Sequence, residues 1–248
     1  MQKFIIFMLL SIVYNLSSQN KTITKVTYTT TLDLDINVSN KSELIFNNIK
    51  SYYIEGEYNR KSNETLLNLD SNNNIFHKIY YYNLLNDSIY TKDKLENKIV
   101  LVSEKAIKIP WIIDYSQEIE ILGFKCNKAE GTFRGRVYTV WFTNDIPVKF
   151  GPWKLQGLPG LILEVKDNMK QVEFKAEKIE YKIEKLNLIP KNNNYQKLNL
   201  KEYVTKIQDD IKSEVQRIIS KLPRNSKVKN LNYKKYKGLE LEYEWDKI

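Results

Sequence analysis

The chain has 248 residues, 42% of them hydrophobic, and 39 Lys/Arg against 30 Asp/Glu give it a formal charge of +9. That length suits one well-buried domain and is large for two ordinary ones. The single cysteine, Cys126, excludes an intrachain disulfide, and with one histidine a zinc site of several His and Cys ligands is excluded by counting.

The chain opens with Met1-Gln2-Lys3, an apolar run from Phe4 to Tyr14 and the small polar residues Ser17-Ser18-Gln19. This is the layout of a secretory signal, and the apolar run is well short of the ~20 residues a spanning helix needs. We read 1–19 as a signal peptide cleaved near Ser18 or Gln19, and 20–248 as a single exported domain. No cysteine stands at the cleavage point to take a lipid.

From Val26, the residues Tyr28, Thr30, Leu32, Leu34 and Ile36 share one parity, and Thr27, Thr29, Thr31, Asp33 and Asp35 the other. That alternation predicts a strand with one wet face. Short runs of the same kind recur at Glu43–Phe46, Ser51–Tyr58, Phe76–Tyr82, Ser88–Thr91, Ile99–Glu104 and Phe124–Glu130. From Arg136 to Asn144 both parities are apolar, which predicts burial on both faces. Val172, Phe174 and Ala176 share a parity opposite to Ile179, Tyr181 and Ile183, so a continuous strand needs a bulge near Glu177 or Lys178. A helix over 200–221 is predicted from the three- and four-residue spacing of Leu200, Tyr203, Val204, Ile207, Ile211, Val215, Ile218, Ile219 and Leu222. Asn199 and Glu202 supply a capping box, and Pro223 ends the helix. Leu239, Leu241, Tyr243 and Trp245 alternate with glutamates, predicting one last strand. The expected fold is mainly β, a β-rich α+β arrangement: a curved antiparallel meander or half-barrel sheet with the C-terminal amphipathic helix packed on it.

The positive charge is concentrated, because residues 191–237 hold thirteen Lys/Arg and four Asp/Glu. Lys221, Arg224, Lys227, Lys229, Lys234, Lys235 and Lys237 are the candidates for contact with an anionic surface; solvated lysines are the plainer reading. In an exported protein the anionic partner is a membrane, and no nucleic acid is expected. Catalytic signals are weak. His77 has no Ser, Cys or acidic partner at a motif spacing, and Asp114, Glu118, Glu120, Asp145, Glu164 and Asp167 offer carboxylates without selecting a pair. No phosphate loop is present, so no cofactor is expected.

One segment differs from the rest. Three of the eight glycines and two of the six prolines lie in Gly151–Gly160, amid Phe150, Trp153, Leu155, Leu158, Leu161 and Leu163. Leu158-Pro159-Gly160-Leu161 reads as a type II turn with Gly160 at positive φ, and its apolar neighbours predict that it packs inward. Gly157-Leu158-Pro159-Gly160-Leu161-Ile162 is the signature of the GLPGLI family, which the chain resembles across about 111–167. Gly123-Phe124-Lys125-Cys126-Asn127-Lys128-Ala129, Phe133-Arg134-Gly135-Arg136, Trp141-Phe142-Thr143 and Gly151-Pro152-Trp153 extend the resemblance. It implies an exported envelope protein of Bacteroidetes-type bacteria, in the periplasm, on the outer membrane or outside the cell, often accompanying outer-membrane receptor systems. It implies no reaction. The segment is then either a rigid core corner or a binding loop in which Gly151, Pro152, Trp153, Leu155, Gly157, Leu158, Pro159, Gly160, Leu161 and Ile162 present an apolar surface. Three functions stay open: a noncatalytic carrier of an apolar or lipid-like ligand, an accessory protein for a TonB-dependent-type receptor, and a carboxylate-based enzyme.

Overall fold

The computed structural model describes residues 22–34, 37–59, 64–66, 77–96, 98–183, 195–223 and 238–247. The signal-peptide reading and the basic residues Arg224, Lys227, Lys229, Lys234, Lys235 and Lys237 lie outside the described residues.

The fold is mainly β, with twelve strands in one sheet. In chain order they are β1 (Thr22–Asp33), β2 (Asn37–Phe46), β3 (Lys50–Glu55), β6 (Ile79–Asn83), β7 (Ser88–Leu95), β8 (Lys98–Lys105), β9 (Ile112–Ile121), β10 (Phe124–Phe133), β11 (Arg136–Thr143), β12 (Leu161–Asp167), β13 (Val172–Ile183) and β14 (Gln196–Asn199). A separate hairpin pairs β4 (Glu57–Asn59) with β5 (Glu64–Leu66). The spatial order is β14-β8-β7-β6-β3-β2-β1-β13-β12-β11-β10-β9. Two meanders are thus joined where β1 pairs with β13. The pairing is antiparallel throughout except that β14 runs parallel to β8, so the sheet is mixed rather than a pure antiparallel meander.

Curvature follows from topology. Ten strand spacings separate β8 from β9, ~48 Å in a flat sheet. The chain between Lys105 and Ile112 can span at most ~25 Å. The sheet therefore curls until its two ends approach each other, without a hydrogen-bonded ladder closing the gap.

The inward face carries the core, including Val26, Tyr28, Leu44, Tyr53, Tyr138, Val140, Phe142, Val165 and Phe174. The predicted bulge is present: Thr27 pairs with Lys178 and Tyr28 with Ala176, leaving Glu177 as the extra residue. It returns Ile179 to the core side, whereas Tyr181 stays 61% exposed. In β11, Tyr138, Val140 and Phe142 are fully buried but Val137 is 38% exposed. The expected two-sided burial is corrected to one side, because the outward face of the curled sheet is only partly covered.

The helix α1 (Leu200–Ser220) continues directly from β14, and its capping box is formed: Glu202 N–H donates to the Asn199 side chain and Asn199 N–H to the Glu202 carboxylate, each at 2.9 Å. Its first turns pack through Leu200, Tyr203, Val204 and Ile207 onto Leu95, Val100, Val102 and Leu198. The predicted last strand is absent. Leu241 and Glu242 N–H both donate to the Arg134 carbonyl, and the segment ends in a 3-10 turn over Glu244–Lys247. It runs past a hairpin turn rather than along a strand, so no ladder can form.

Candidate functional site: a cavity between the signature loop, the helix and the C-terminal segment

The loop from β11 to β12 folds back into the curled sheet. Phe150 lies 5.8 Å from the Phe46 ring and 5.9 Å from Tyr82, and Trp153 meets Phe133 edge-on at 5.5 Å. Leu155, Leu158, Leu161 and Ile162 are no more than 1% exposed, so the loop does pack inward. The Tyr28 hydroxyl donates to the Ile162 carbonyl at 2.7 Å, fixing the loop's exit to β1. Trp111 Nε1 donates to the Gln156 carbonyl and Gln156 Nε2 to the Ile107 carbonyl, tying the loop to the crossing between β8 and β9.

The type II turn is not formed. Gly160 does not have positive φ; that conformation belongs to Gly157, at +103°. A Cβ on Gly160 would lie 1.9 Å from the Thr143 carbonyl oxygen, so its glycine is required by the close approach of two backbones. Gly151 is constrained likewise, since its Cβ would meet Ile162 and the Leu155 carbonyl at 2.8 Å. Trp153 itself adopts a left-handed φ of 57°, uncommon for a bulky side chain and held here by its burial.

Next to Trp153, Lys154 enters a buried ion network that closes the gap between the ends of the sheet. Its amine contacts Glu104 of β8 and lies 2.8 Å from Glu240, while Arg134, in the β10–β11 turn, lies 2.8 Å from Glu104 and also contacts Glu240. The side chains of Arg134, Lys154 and Glu104 are 3%, 4% and 6% exposed, so these charges depend on one another. Glu244 joins at the rim. A second buried cation, Arg136, holds the Asp167 carboxylate at 2.6 Å and donates to the carbonyls of Gly238 at 3.0 Å and Leu239 at 3.2 Å. Two arginines of one hairpin thus clamp the C-terminal segment over the opening.

Between these parts lies a cavity of about 590 Å³. Trp153, Leu32, Leu239, Tyr243, Val204, Ile207 and Ile211 supply its apolar wall, and Glu55, Lys78, Tyr80, Thr91, Lys154 and Glu240 its polar one. Burial pushes the Glu55 carboxyl up, against the opposing pull of Lys78 and a hydrogen bond from Tyr80. Glu240 goes the other way: burial opposes its charge, but Lys154 and Arg134 hold its carboxyl below the usual range. Lys78 is paired with Asp93 at 2.6 Å, and the Tyr203 hydroxyl donates to the same carboxylate at 2.6 Å. Partial desolvation opposes its charge, but Tyr80, Glu55 and Asp93 hold Lys78 well above the ordinary lysine value.

Of the signature residues, Trp153 lines the cavity, whereas Leu155 and Leu158 are enclosed in the core and do not. Gly151, Pro152, Gly157, Pro159, Gly160, Leu161 and Ile162 shape the loop behind Trp153. Lys221 is exposed at the far end of α1. His77 is buried just before β6, and its ring nitrogens have no hydrogen-bond partner among the described residues. Sequence reasoning missed Glu55, Lys78, Lys154, Tyr203 and Glu240. Lys154 did carry a signal, as a charge inside a loop that was expected to pack inward.

A family model described as N-glycanase peptide, N-terminal domain, matches residues 112–205, under half of the chain. Among solved structures, PNGF-II in the C2 and P21 space groups is similar at 21% and 23% identity, each with a TM-score of 0.56 over 75% of this chain. The chain spans about a third of the length of those proteins, 33% in each case, and at such identity the likeness shows a shared fold. An uncharacterized conserved protein from Thermus thermophilus matches over 77% of this chain and 98% of its own at 10% identity, with a TM-score of 0.39 that carries no argument. No curated protein matches.

Proposed function

We propose that the protein is an exported envelope protein of the GLPGLI family that binds an amphipathic ligand noncatalytically in the cavity beneath α1. The observation that carries this reading is the cavity itself, whose size falls in the ~300–1,000 Å³ range of small-molecule sites and whose helix side is mainly apolar, through Leu200, Val204, Ile207 and Ile211 beside Gln208 and Lys212. The polar side refines the ligand. On the side of Trp153, Lys78 and Lys154 are already paired with Asp93, Glu104 and Glu240, so a formally charged head group placed there would have to break an ion pair that is buried at Lys154; the remaining lining cation, Lys212, is exposed on α1. An apolar body with a neutral, hydrogen-bonding head fits better. Native mass spectrometry with lipid extraction, on protein purified from its own envelope, tests this. An apolar molecule should copurify and be depleted in Ile207→Trp, which places an indole in the cavity wall. A bare chain, or one carrying an outer-membrane receptor component, would transfer the reading to an accessory protein.

A second reading, carboxylate-based hydrolysis, draws on Glu55 and Glu240, whose carboxyls are shifted in opposite directions and face one cavity. The likeness to an N-glycanase N-terminal domain spans residues 112–205, which contain neither carboxylate, and supplies only the substrate to try. Turnover of an N-glycopeptide that disappears in Glu55→Gln would establish this reading in place of the first.

A further inference from the structure

The apolar stripe of α1 extends beyond what the sheet covers. Leu200 is the buried residue of the helix, and Ile207 and Ile211 line the cavity. Past the cavity the stripe continues through Val215, Ile218, Ile219 and Leu222, with Ile211 38%, Ile218 53% and Leu222 43% exposed. At 3.6 residues per turn, Lys212 and Lys221 fall on opposite flanks of this stripe. Charge is skewed in the same direction: residues 212–237 hold nine Lys/Arg and one Asp/Glu, and that acid, Glu214, is paired with Arg217 at 2.6 Å. No described helix is long and apolar enough to cross a membrane. An apolar stripe with lysines on both flanks matches a helix that lies in the interface of an anionic bilayer, with the lysine stems running over the acyl boundary and the amines at the head groups.

We infer that the C-terminal half of α1 is a docking surface for an anionic lipid membrane, with Ile218 and Leu222 entering the interface and Lys212 and Lys221 contacting head groups. The docking does not depend on what the cavity holds. Because the stripe is continuous with the cavity lining, docking would set the mouth of the cavity against the bilayer.

The test is cosedimentation of the mature protein with phosphatidylglycerol/phosphatidylcholine vesicles and with phosphatidylcholine alone. Binding is expected to the anionic vesicles, to weaken as salt rises through the physiological range, and to fall about five-fold for each of Lys212→Gln and Lys221→Gln. The exposed double variant Ile218→Glu/Leu222→Glu should abolish it while retaining any copurified cavity ligand, which separates this inference from the carrier reading. Equal binding to both vesicles, no binding, or a dimer in size-exclusion chromatography that the double variant dissolves would each overturn it, the last assigning the stripe to a second copy.

Discussion

Arg136→Met puts the clamp on the C-terminal segment to a quantitative test. Arg136 is fully buried, and its replacement leaves Asp167 without its cation and the Gly238 and Leu239 carbonyls without their donors. Removing one partner of a buried pair costs about 3–5 kcal/mol. Asp167 keeps the N–H groups of Gln171 at 2.7 Å and Val172 at 2.9 Å, and Arg134 still holds Leu241 and Glu242, so the lower end, about 3 kcal/mol, is expected. For a chain of this size that corresponds to a fall in Tm of roughly 6–12 °C. Urea denaturation followed by tryptophan fluorescence measures the loss, and proteolysis should cut the C-terminal segment sooner. Adding Asp167→Asn should recover part of the stability, because the orphaned charge is removed with its partner. A loss below about 1 kcal/mol, or a double variant no better than the single, would refute the clamp.

The signature glycines should rank by cause. Gly160→Ala must displace the Thr143 backbone and is expected to cost at least ~2 kcal/mol, whereas Gly157→Ala has open space, with no atom nearer than 3.9 Å, and bears conformational strain of ~1–2 kcal/mol. Thermal melts that reverse this order would refute the close approach of Gly160 to the Thr143 backbone. The cavity carboxylates should show opposite pH signatures. Glu55, raised when folded, contributes stability below its ordinary value near 4.5 that is lost as pH rises through the folded value, so Glu55→Gln should gain on the wild type as pH rises above about 4.5. Glu240, lowered when folded, contributes above that value and loses it on acidification, so the deficit of Glu240→Gln should be full above about pH 4.5 and shrink as pH falls below it. Parallel slopes in denaturation at a series of pH values would contradict both assignments.

What the sequence disclosed was local. The one-sided parity of β1, the bulge at Glu177 and the Asn199–Glu202 capping box are each written within a few residues, and each is present. The reason for Gly160 was not local: Pro-Gly has the chemistry of a turn, but the constraint is the carbonyl of Thr143 on β11, seventeen positions earlier. The ion network drew Glu104, Arg134, Lys154 and Glu240 from four separated segments, and no spacing in one sequence pairs them. The C-terminal glutamates alternate as a wet strand face would, yet Glu240 points into the protein, because arginines rather than a neighbouring strand fix that segment.

The strand order also bears on how the chain reaches this state. Each meander grows by neighbouring hairpins, β1 through β8 on one side and β9 through β13 on the other, with mostly short loops to close. The sheet becomes continuous when β1 zips onto β13, bringing together residues as distant as Thr22 and Ile183. Closing so long a loop is entropically costly and slow, and until it closes β1 and β13 are open edges along which unfinished chains would pair with one another.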